Sequence, residues 1–381
     1  MLRTLPNELL LDILEHCDRS TWRSLSLAGR RFQNVAQSLL FASFRILMLT
    51  MDMGKTYKSA EDIQGILASP RLLSYIQSLS IVGGSGIPYN GVDGDELFLS
   101  LSSMPSLRSL RIMLVFRKST LDSLCSLLSV CPLDIHLSGS QYPTNYIIPV
   151  TRLRVVRLTM GMIFPDQRDF LDQLLDRVAQ DIISLDPGAV TPSMKRPIDM
   201  AMPKLKSLTL RGSELSGEPL ASFLKANPQL GELKIFGERL KIPVLPPTAL
   251  PQLHSVSAPL RFLSRFVPGR PIKRVCIYHS PLSLRAMLDG LSVLAQSTTP
   301  ITDLNLIIVG YGMEGVSEIM ETAVTSLPRL EHLDIKFNID VSDPPPALFS
   351  VQPIYLPGLT NRPGVHHQVQ STPPTFLTCN A

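Results

Sequence analysis

The stretch LGELKI (residues 230–235) places three apolar residues in the spacing LxxLxL, and this spacing decides the fold because it recurs along most of the chain. The other copies begin at Ile76, Leu107, Val130, Leu153, Leu205, Leu253, Ile272, Ile301 and Leu330. Successive copies start 19 to 31 residues apart, with one interval of 52 residues. Leucine-rich repeats have periods of about 20 to 29 residues, so the pattern is typical of a solenoid built from such repeats.

Each copy is expected to form one short strand. The second and third apolar residues point to one side of that strand, and the residue between them points to the other. A single strand of this length cannot bury its apolar side alone, whereas stacked strands share a continuous core. The segments between copies space their apolar residues three and four apart, as helices do; they are 95–104, 120–130, 218–227, 281–297 and 315–327. The sequence therefore predicts an α/β leucine-rich-repeat solenoid over residues 71–340, with short parallel strands and outer helices.

The interval of 52 residues equals about two repeats and contains residues 161–203. This segment carries a helical pattern at 166–185 and then a Pro-rich sequence, DPGAVTPSMKRP, at 186–197. Both an insertion and a degenerate repeat are consistent with this pattern.

A glycine motif near the end of the repeats has two interpretations. Gly310, Gly312 and Gly315 spell GxGxxG after an apolar run, and Asp334 stands 19 residues beyond the last of them. A dinucleotide-binding enzyme has this order of strand, glycine loop, helix and acid, but it opens a long doubly wound sheet. Here only one further repeat strand follows, so we interpret the glycines as the turn before a repeat helix. Copurification of a nicotinamide or flavin would favour the oxidoreductase instead; we expect no cofactor.

The composition excludes several functional classes. With 36 basic and 32 acidic residues the net charge is +4, which indicates neither a nucleic-acid partner nor a membrane surface. The five cysteines show no paired spacing and no apolar run reaches the length of a membrane helix, so an intracellular protein of the cytoplasm or nucleus is predicted. No metal-ligand, nucleophile-elbow or phosphate-loop motif occurs, and we predict neither a metal site nor an enzyme.

Residues 1–50 differ in kind from the repeats. The sequence LPNELLLDIL (5–14) predicts an amphipathic helix, and a polar turn with Ser20 as candidate N-cap leads to a second helix. A third helix is predicted past Gly29. Three short helices bury little surface, so the apolar stripe of the first one favours contact with another protein.

This segment resembles the F-box family over residues 4–46, through LPNELLLDIL, DRSTWRSLSLA and GRRFQNVA. The resemblance implies docking on the Skp-family adaptor of an SCF-type ubiquitin ligase and, through it, on a cullin. Carried over by position, the residues implied to contact the adaptor are Leu5, Pro6, Leu9, Ile13 and Leu14, with Leu25 and Val35 supporting the helix packing or extending the contact. F-box proteins with leucine-rich repeats act as substrate receptors, which implies an unknown protein substrate and no active site.

A second interpretation keeps the repeats and discards the ligase. The chain would then be a leucine-rich-repeat scaffold that binds proteins outside any ubiquitin ligase, with its N-terminal helices serving as a cap. This alternative gains support if Leu9 and Ile13 are buried within the chain.

The substrate is expected on the concave face formed by the residues between the core positions of each strand. The basic residues predicted there are Arg111, Arg157, Arg211, Lys234 and Arg274. They would attract an acidic or phosphorylated segment through charge-assisted hydrogen bonds. The alternative is an ordinary solvated face, since exposed strand positions commonly carry Arg and Lys.

Two further segments complete the predicted organisation. Residues 51–70 are interpreted as a linker between the helical domain and the repeats. Residues 341–381 contain eight prolines and no periodicity, so they are predicted to form a disordered tail.

Overall fold

The structure is a computed structural model, and the chain divides into two compact units, Met1–Met194 and Lys195–Ala381. The described residues are 5–48, 68–83, 100–101, 104–113, 118–137, 146–161, 168–188, 201–211, 217–237, 241–242, 244–278, 283–309, 313–338, 348–350 and 354–355. Most of the predicted linker, of the predicted helix 95–104 and of the tail lies outside these residues, as do Gly310 and Gly312.

The first unit begins with helices and continues as strands that alternate with helices. Its helices are α1 (Asn7–Glu15), α2 (Arg19–Ala28), α3 (Arg30–Ala42), α4 (Pro70–Leu73), α5 (Lys118–Val130) and α6 (Arg168–Val178). Its strands are β1 (Ser43–Met48), β2 (Ser78–Gly83), β3 (Ser109–Met113), β4 (Leu133–Leu137), β5 (Val155–Met160) and β6 (Ser184–Asp186). Each strand pairs in parallel with the next strand along the chain.

The second unit repeats the same alternation. Its helices are α7 (Glu218–Ala226), α8 (Leu260–Phe266), α9 (Leu284–Leu294) and α10 (Met313–Ser326). Its strands are β7 (Ser207–Arg211), β8 (Glu232–Phe236), β9 (Ser255–Ala258), β10 (Arg274–Tyr278), β11 (Asp303–Val309), β12 (His332–Asn338), β13 (Leu348–Ser350) and β14 (Ile354–Tyr355). From β7 to β12 each strand pairs in parallel with the next, so parallel repeat strands with intervening helices are confirmed in this unit.

The spacing LxxLxL has its predicted physical meaning in the core. Leu230, Leu233 and Ile235 are all fully buried, whereas Lys234 between the last two is exposed. In β3 the residues alternate in the same way, because successive side chains of a strand point to opposite faces. The apolar spacing therefore fixes which face of each strand enters the core.

Two repeats lack the expected leucines. β1 pairs with β2 in register, with Phe44 opposite Leu79 and Ile46 opposite Ile81, so residues 43–48 belong to the sheet and not to the helical domain. The segment 161–203 contains α6 and β6, and Leu185 of β6 pairs with Leu158. This helix and strand continue the alternation of the repeats, and residues 162–167 and 189–200 of the segment lie outside the described residues.

Part of the predicted tail differs from the expectation of disorder. β13 and β14 pair antiparallel with β12, which would otherwise present an open edge of unpaired backbone groups. These short strands therefore cover the edge that a final polar repeat covers in other repeat proteins.

Candidate protein-binding surfaces

The three N-terminal helices pack around a small apolar core of their own. Leu10 and Leu14 are each 2% exposed and Val35 is 8% exposed, with Leu25 and Trp22 packed against them. Leu14 was expected to contact the adaptor, but its burial gives it a packing role. Val35 and Leu25 also pack in this core, and their predicted contact with the adaptor stays a prediction.

The core leaves part of α1 uncovered. Leu9 is 50% exposed and Ile13 is 46% exposed, and because they lie four residues apart they share one face of the helix. Pro6 is exposed just before the helix and Leu5 is half-buried. We call the surface formed by Leu5, Pro6, Leu9 and Ile13 the α1 stripe. Leu9 and Ile13 are therefore not buried within the chain, whereas their burial would have favoured a purely capping role for the helices.

Polar contacts hold this segment in shape. Asp18, rather than Ser20, caps α2 by accepting a hydrogen bond from the Thr21 backbone N–H at 2.7 Å. Asp18 also accepts hydrogen bonds from the Thr21 and Ser20 hydroxyls. The bonds from the Thr21 hydroxyl, the Thr21 N–H and the Ser20 hydroxyl hold the pKa of the Asp18 carboxyl below its usual value. The Trp22 indole N–H donates to the Leu14 carbonyl at 2.5 Å, which satisfies an acceptor at the end of α1.

The helical segment joins the sheet without an intervening loop. α3 ends at Ala42 and β1 begins at Ser43. The Gln77 N–H donates to the Ala42 carbonyl at 3.0 Å, which ties this junction to the chain just before β2. The α1 stripe therefore belongs to the same compact unit as the first repeat strands.

In the first unit, the two predicted basic residues occupy different rows of the exposed sheet face. Arg111 pairs with Ser80 and His136, between two buried core positions. Arg157 pairs with Asp134, two residues closer to the amino ends of the strands, and forms an ion pair with it at 3.9 Å. The prediction placed both at the intervening position, which is wrong for Arg157 because Leu158 is the central core residue of its strand rather than the last.

The exposed sheet face of the second unit has three rows, which run across the strands. The amino-end row contains Ser207, Glu232, Ser255, Arg274, Asp303 and His332. The middle row contains Thr209, Lys234, Ser257, Cys276, Asn305 and Asp334. The carboxyl-end row contains Arg211, Phe236, Tyr278, Ile307 and Lys336.

Arg211, Lys234 and Arg274 thus lie on one face, as predicted, but in three different rows. Arg274 was placed at the intervening position, which Cys276 occupies instead. Its guanidinium forms an ion pair with Glu232 at 3.6 Å, and Asp303 is its register partner on the next strand. The amino-end row is consequently compensated in charge, and the predicted basic residues do not share one row.

The carboxyl-end row contains an aromatic pair that the sequence analysis missed. Phe236 and Tyr278 stack with ring centroids 4.8 Å apart, and the Arg211 guanidinium carbon lies 5.0 Å from the Phe236 centroid. Tyr278 donates its hydroxyl to the carbonyls of Ile235 and Ser257, and burial raises the pKa of its phenol. Reading each strand one position beyond its last core residue would have found this row.

The strand before the glycine motif does not lie at a reversal of strand order. β11 lies between β10 and β12 in an order that follows the chain from β7 to β12, whereas dinucleotides bind where the strand order reverses. Asp334 accepts a hydrogen bond from the Asn305 amide at 2.8 Å and forms an ion pair with Lys336 at 3.5 Å. Gly315 lies within α10.

Neither a metal cluster nor a membrane helix is found in the part of the chain that the structure describes. No three His, Cys, Asp or Glu side chains come together there as a metal site. No helix among the same residues is long and apolar enough to span a bilayer. The candidate sites are the α1 stripe and the exposed sheet face.

Comparison with known proteins identifies no family. No family model matches the chain, and no curated protein matches it in sequence. Among solved structures, an internalin (inlF) from Listeria monocytogenes is similar with a TM-score of 0.36 and 16% sequence identity, over 72% of this chain and 80% of that one. A similarity of this size adds nothing to the fold, which follows from the strand pairing described above.

Proposed function

We propose that this protein is the substrate-recognition subunit of an SCF-type ubiquitin ligase. Its N-terminal helices act as an F-box that docks on the Skp-family adaptor, and the exposed sheet face binds the target protein. The exposure of Leu9 and Ile13 carries this proposal. A second apolar pair, Leu10 and Leu14, already fills the core of the helices, so the stripe is available to a partner.

The free energy that burial of the α1 stripe contributes to binding can be estimated from the exposure of Leu9 and Ile13. Fully burying a Leu or Ile side chain contributes about 1.5 to 3 kcal/mol, so covering the exposed halves of Leu9 and Ile13 contributes roughly 2 kcal/mol in total. Residues at the centre of an interface often dominate its affinity. The α1 stripe is thus expected to contain the affinity-determining residues, with Pro6 and Leu5 extending the contact towards the start of the helix.

Proximity supplies the activity, so no catalytic residue is required. Fixing a target and a ubiquitin-charged conjugating enzyme on one assembly turns a bimolecular encounter into an effectively intramolecular one. The direct passage from α3 into β1 favours this role, because a flexible linker at that point would lower the effective concentration.

The test is calorimetric binding of the purified chain to a purified Skp-family adaptor. We compare the wild type with Leu9→Glu/Ile13→Glu, in which both positions are exposed and glutamate is a good helix former, so folding should be kept. The matched control is Val130→Glu/Ile147→Glu, which changes two apolar residues that are 66% and 74% exposed outside the three helices. We expect at least a 100-fold loss of affinity in the first variant and less than a twofold change in the control. Equal affinities for all three folded proteins would refute the proposal.

A further inference from the structure

The carboxyl-end row of the second unit combines apolar surface and positive charge in a definite order. Along the row, Arg211 on β7 is followed by Phe236 on β8, Tyr278 on β10, Ile307 on β11 and Lys336 on β12. Phe236 is 37% exposed and Lys336 is exposed, with the aromatic pair between the two ends. The row contains no carboxylate, in contrast with the amino-end row.

The aromatic pair exists because β9 is short. β9 ends at Ala258, and Pro259 then caps α8, so no β9 residue occupies the carboxyl-end row. The Tyr278 hydroxyl bonds carbonyls of β8 and β9, which places its ring across the end of β9 and against Phe236. Both hydrogen bonds and the stacking hold the tyrosine in one orientation, so the surface is formed before any ligand arrives.

The surface around Phe236 favours an anion. Arg211 lies on the β7 side of this ring and Tyr278 on the β10 side, so the edge of the ring faces outward. An aromatic edge carries partial positive charge. Lys234 is exposed in the neighbouring row of the same strand and adds a full positive charge. Arg211 contributes its positive charge to this surface while its guanidinium stays against the Phe236 ring.

The spacing of the row fits one backbone conformation. Neighbouring strands are about 4.8 Å apart, so β8 and β10 are separated by about 9.6 Å and β8 and β12 by about 19 Å. A polyproline II helix has three residues per turn and a rise of about 3.1 Å per residue. Residues i, i+3 and i+6 of such a helix therefore share one side at about 9.3 and 18.6 Å.

We propose that the carboxyl-end row binds an extended, polyproline-II-like segment of a target protein. The segment carries Asp or Glu at position i, a large apolar residue at i+3 and a second Asp or Glu at i+6. The first acid lies near Arg211, Lys234 and the edge of Phe236, the apolar residue packs on Tyr278 and Ile307, and the second acid reaches Lys336. The inference deepens the proposed function and rests on it, because it names the chemistry of the target.

Carboxylates are favoured over a phosphate by the local charge. Glu232 is two residues from Lys234 on the same strand, and Asp334 already forms an ion pair with Lys336. At the Arg211 end the excess is one positive charge, which suits a single carboxylate, and at the other end the segment's carboxylate shares the Lys336 ammonium with Asp334.

The test uses the full chain and a fluorescent peptide, EPPLPPE, whose prolines impose the polyproline II conformation. We expect saturable binding in fluorescence anisotropy. Affinity should fall at least tenfold for Arg211→Ser/Lys234→Ser, for Phe236→Ser and for the peptide EPPAPPE, and binding should be lost for KPPLPPK. Arg274→Ser, on the same face but in the amino-end row, should change affinity less than twofold.

Several outcomes would overturn the inference. They are no saturable binding of EPPLPPE, equal binding of KPPLPPK, an equal loss for Arg274→Ser, or tenfold tighter binding when the acids are replaced by phosphoserine. If Phe236→Ser does not fold, Arg211→Ser/Lys234→Ser still tests the inference. This variant should fold, because the side chains of Arg211 and Lys234 are both exposed. Adaptor binding by the same protein preparations separates the two proposals: a chain that binds the adaptor and not the peptide keeps its proposed function and loses only this inference.

Discussion

Replacing Arg270 should destabilise the second unit more than any exposed substitution. This arginine is 1% exposed, and its guanidinium donates to four backbone carbonyls at 3.2 Å or less. They belong to Pro246 and Ala249, in the loop after β8, and to Arg265 and Phe266, at the end of α8. A cation at this position also complements the negative end of the helix dipole.

The magnitude follows from the acceptors that lose their donors. A buried carbonyl left without a partner costs about 1 to 3 kcal/mol, and we use the low end because removing the guanidinium also removes the cost of burying its charge. Burial lowers the pKa of Arg270, because desolvation disfavours its charged form. The Pro246 carbonyl also accepts the Ala249 N–H at 2.9 Å, so the other three carbonyls give about 3 kcal/mol for Arg270→Met. Arg270→Lys retains the charge but has three donors instead of five, so about 1 to 2 kcal/mol is expected.

Thermal and urea unfolding followed by circular dichroism will measure these values. For a unit of this size, about 3 kcal/mol corresponds to a decrease in Tm of roughly 6 to 12 °C. Lys273→Met is the control, because it removes an exposed cation three residues from Arg270 along the chain. It should change stability by less than about 0.5 kcal/mol. A destabilisation below about 1 kcal/mol for Arg270→Met would refute the reasoning that these carbonyls depend on the guanidinium.

Three further predictions concern single side chains. Asn227 is fully buried and accepts the Met202 N–H at 2.7 Å, so Asn227→Ala should destabilise by about 2 to 3 kcal/mol in urea unfolding. At Gly188 φ is +72° and an added Cβ would lie 2.1 Å from the Met160 carbonyl oxygen, so Gly188→Ala should lower the Tm of the first unit by several degrees. Burial raises the pKa of Cys125 to about 11, so ionisation opposes folding as the pH rises from about 9 towards 11. Below that range its thiol should resist alkylation, as followed by peptide mass spectrometry.

The strands were predictable because burial decides them. Leu205, Leu208 and Leu210 are all buried, and any sequence with this spacing must place such residues on one side. The repeat at β1 was missed because Phe44 and Ile46 replace its leucines, although the spacing is the same. Pairing with the next strand, rather than residue identity, shows that it belongs to the sheet.

Register was harder to predict than strand position. Around β5 the sequence VVRLTM supplies buried residues at Val155, Leu158 and Met160, so more than one choice of core positions satisfies the pattern. Only the pairing with β4 fixes which residues are the core positions. That pairing places Arg157 opposite Asp134, outside its predicted row. For Arg274 the spacing itself was unambiguous, because the copy that begins at Ile272 has Cys276 between its last two apolar residues, and the burial pattern of the strand agrees.

The α1 stripe had a similar ambiguity on a helix. Leu9 and Ile13 are four residues apart, and so are Leu10 and Leu14, so either pair could face the core. The positions of α2 and α3 decide that Leu10 and Leu14 are buried. A sequence pattern alone contains no information about where the neighbouring helices lie.

Amide hydrogen exchange of the full chain, with and without a purified Skp-family adaptor, tests the central claim most directly. α1 spans only nine residues and leaves Leu9 and Ile13 half exposed, so its amides should exchange readily in the free protein. The account predicts that saturating adaptor slows exchange in Asn7–Glu15 by at least tenfold and leaves β7 to β12 unchanged. Unchanged exchange in α1 at adaptor concentrations that saturate an established partner would contradict it.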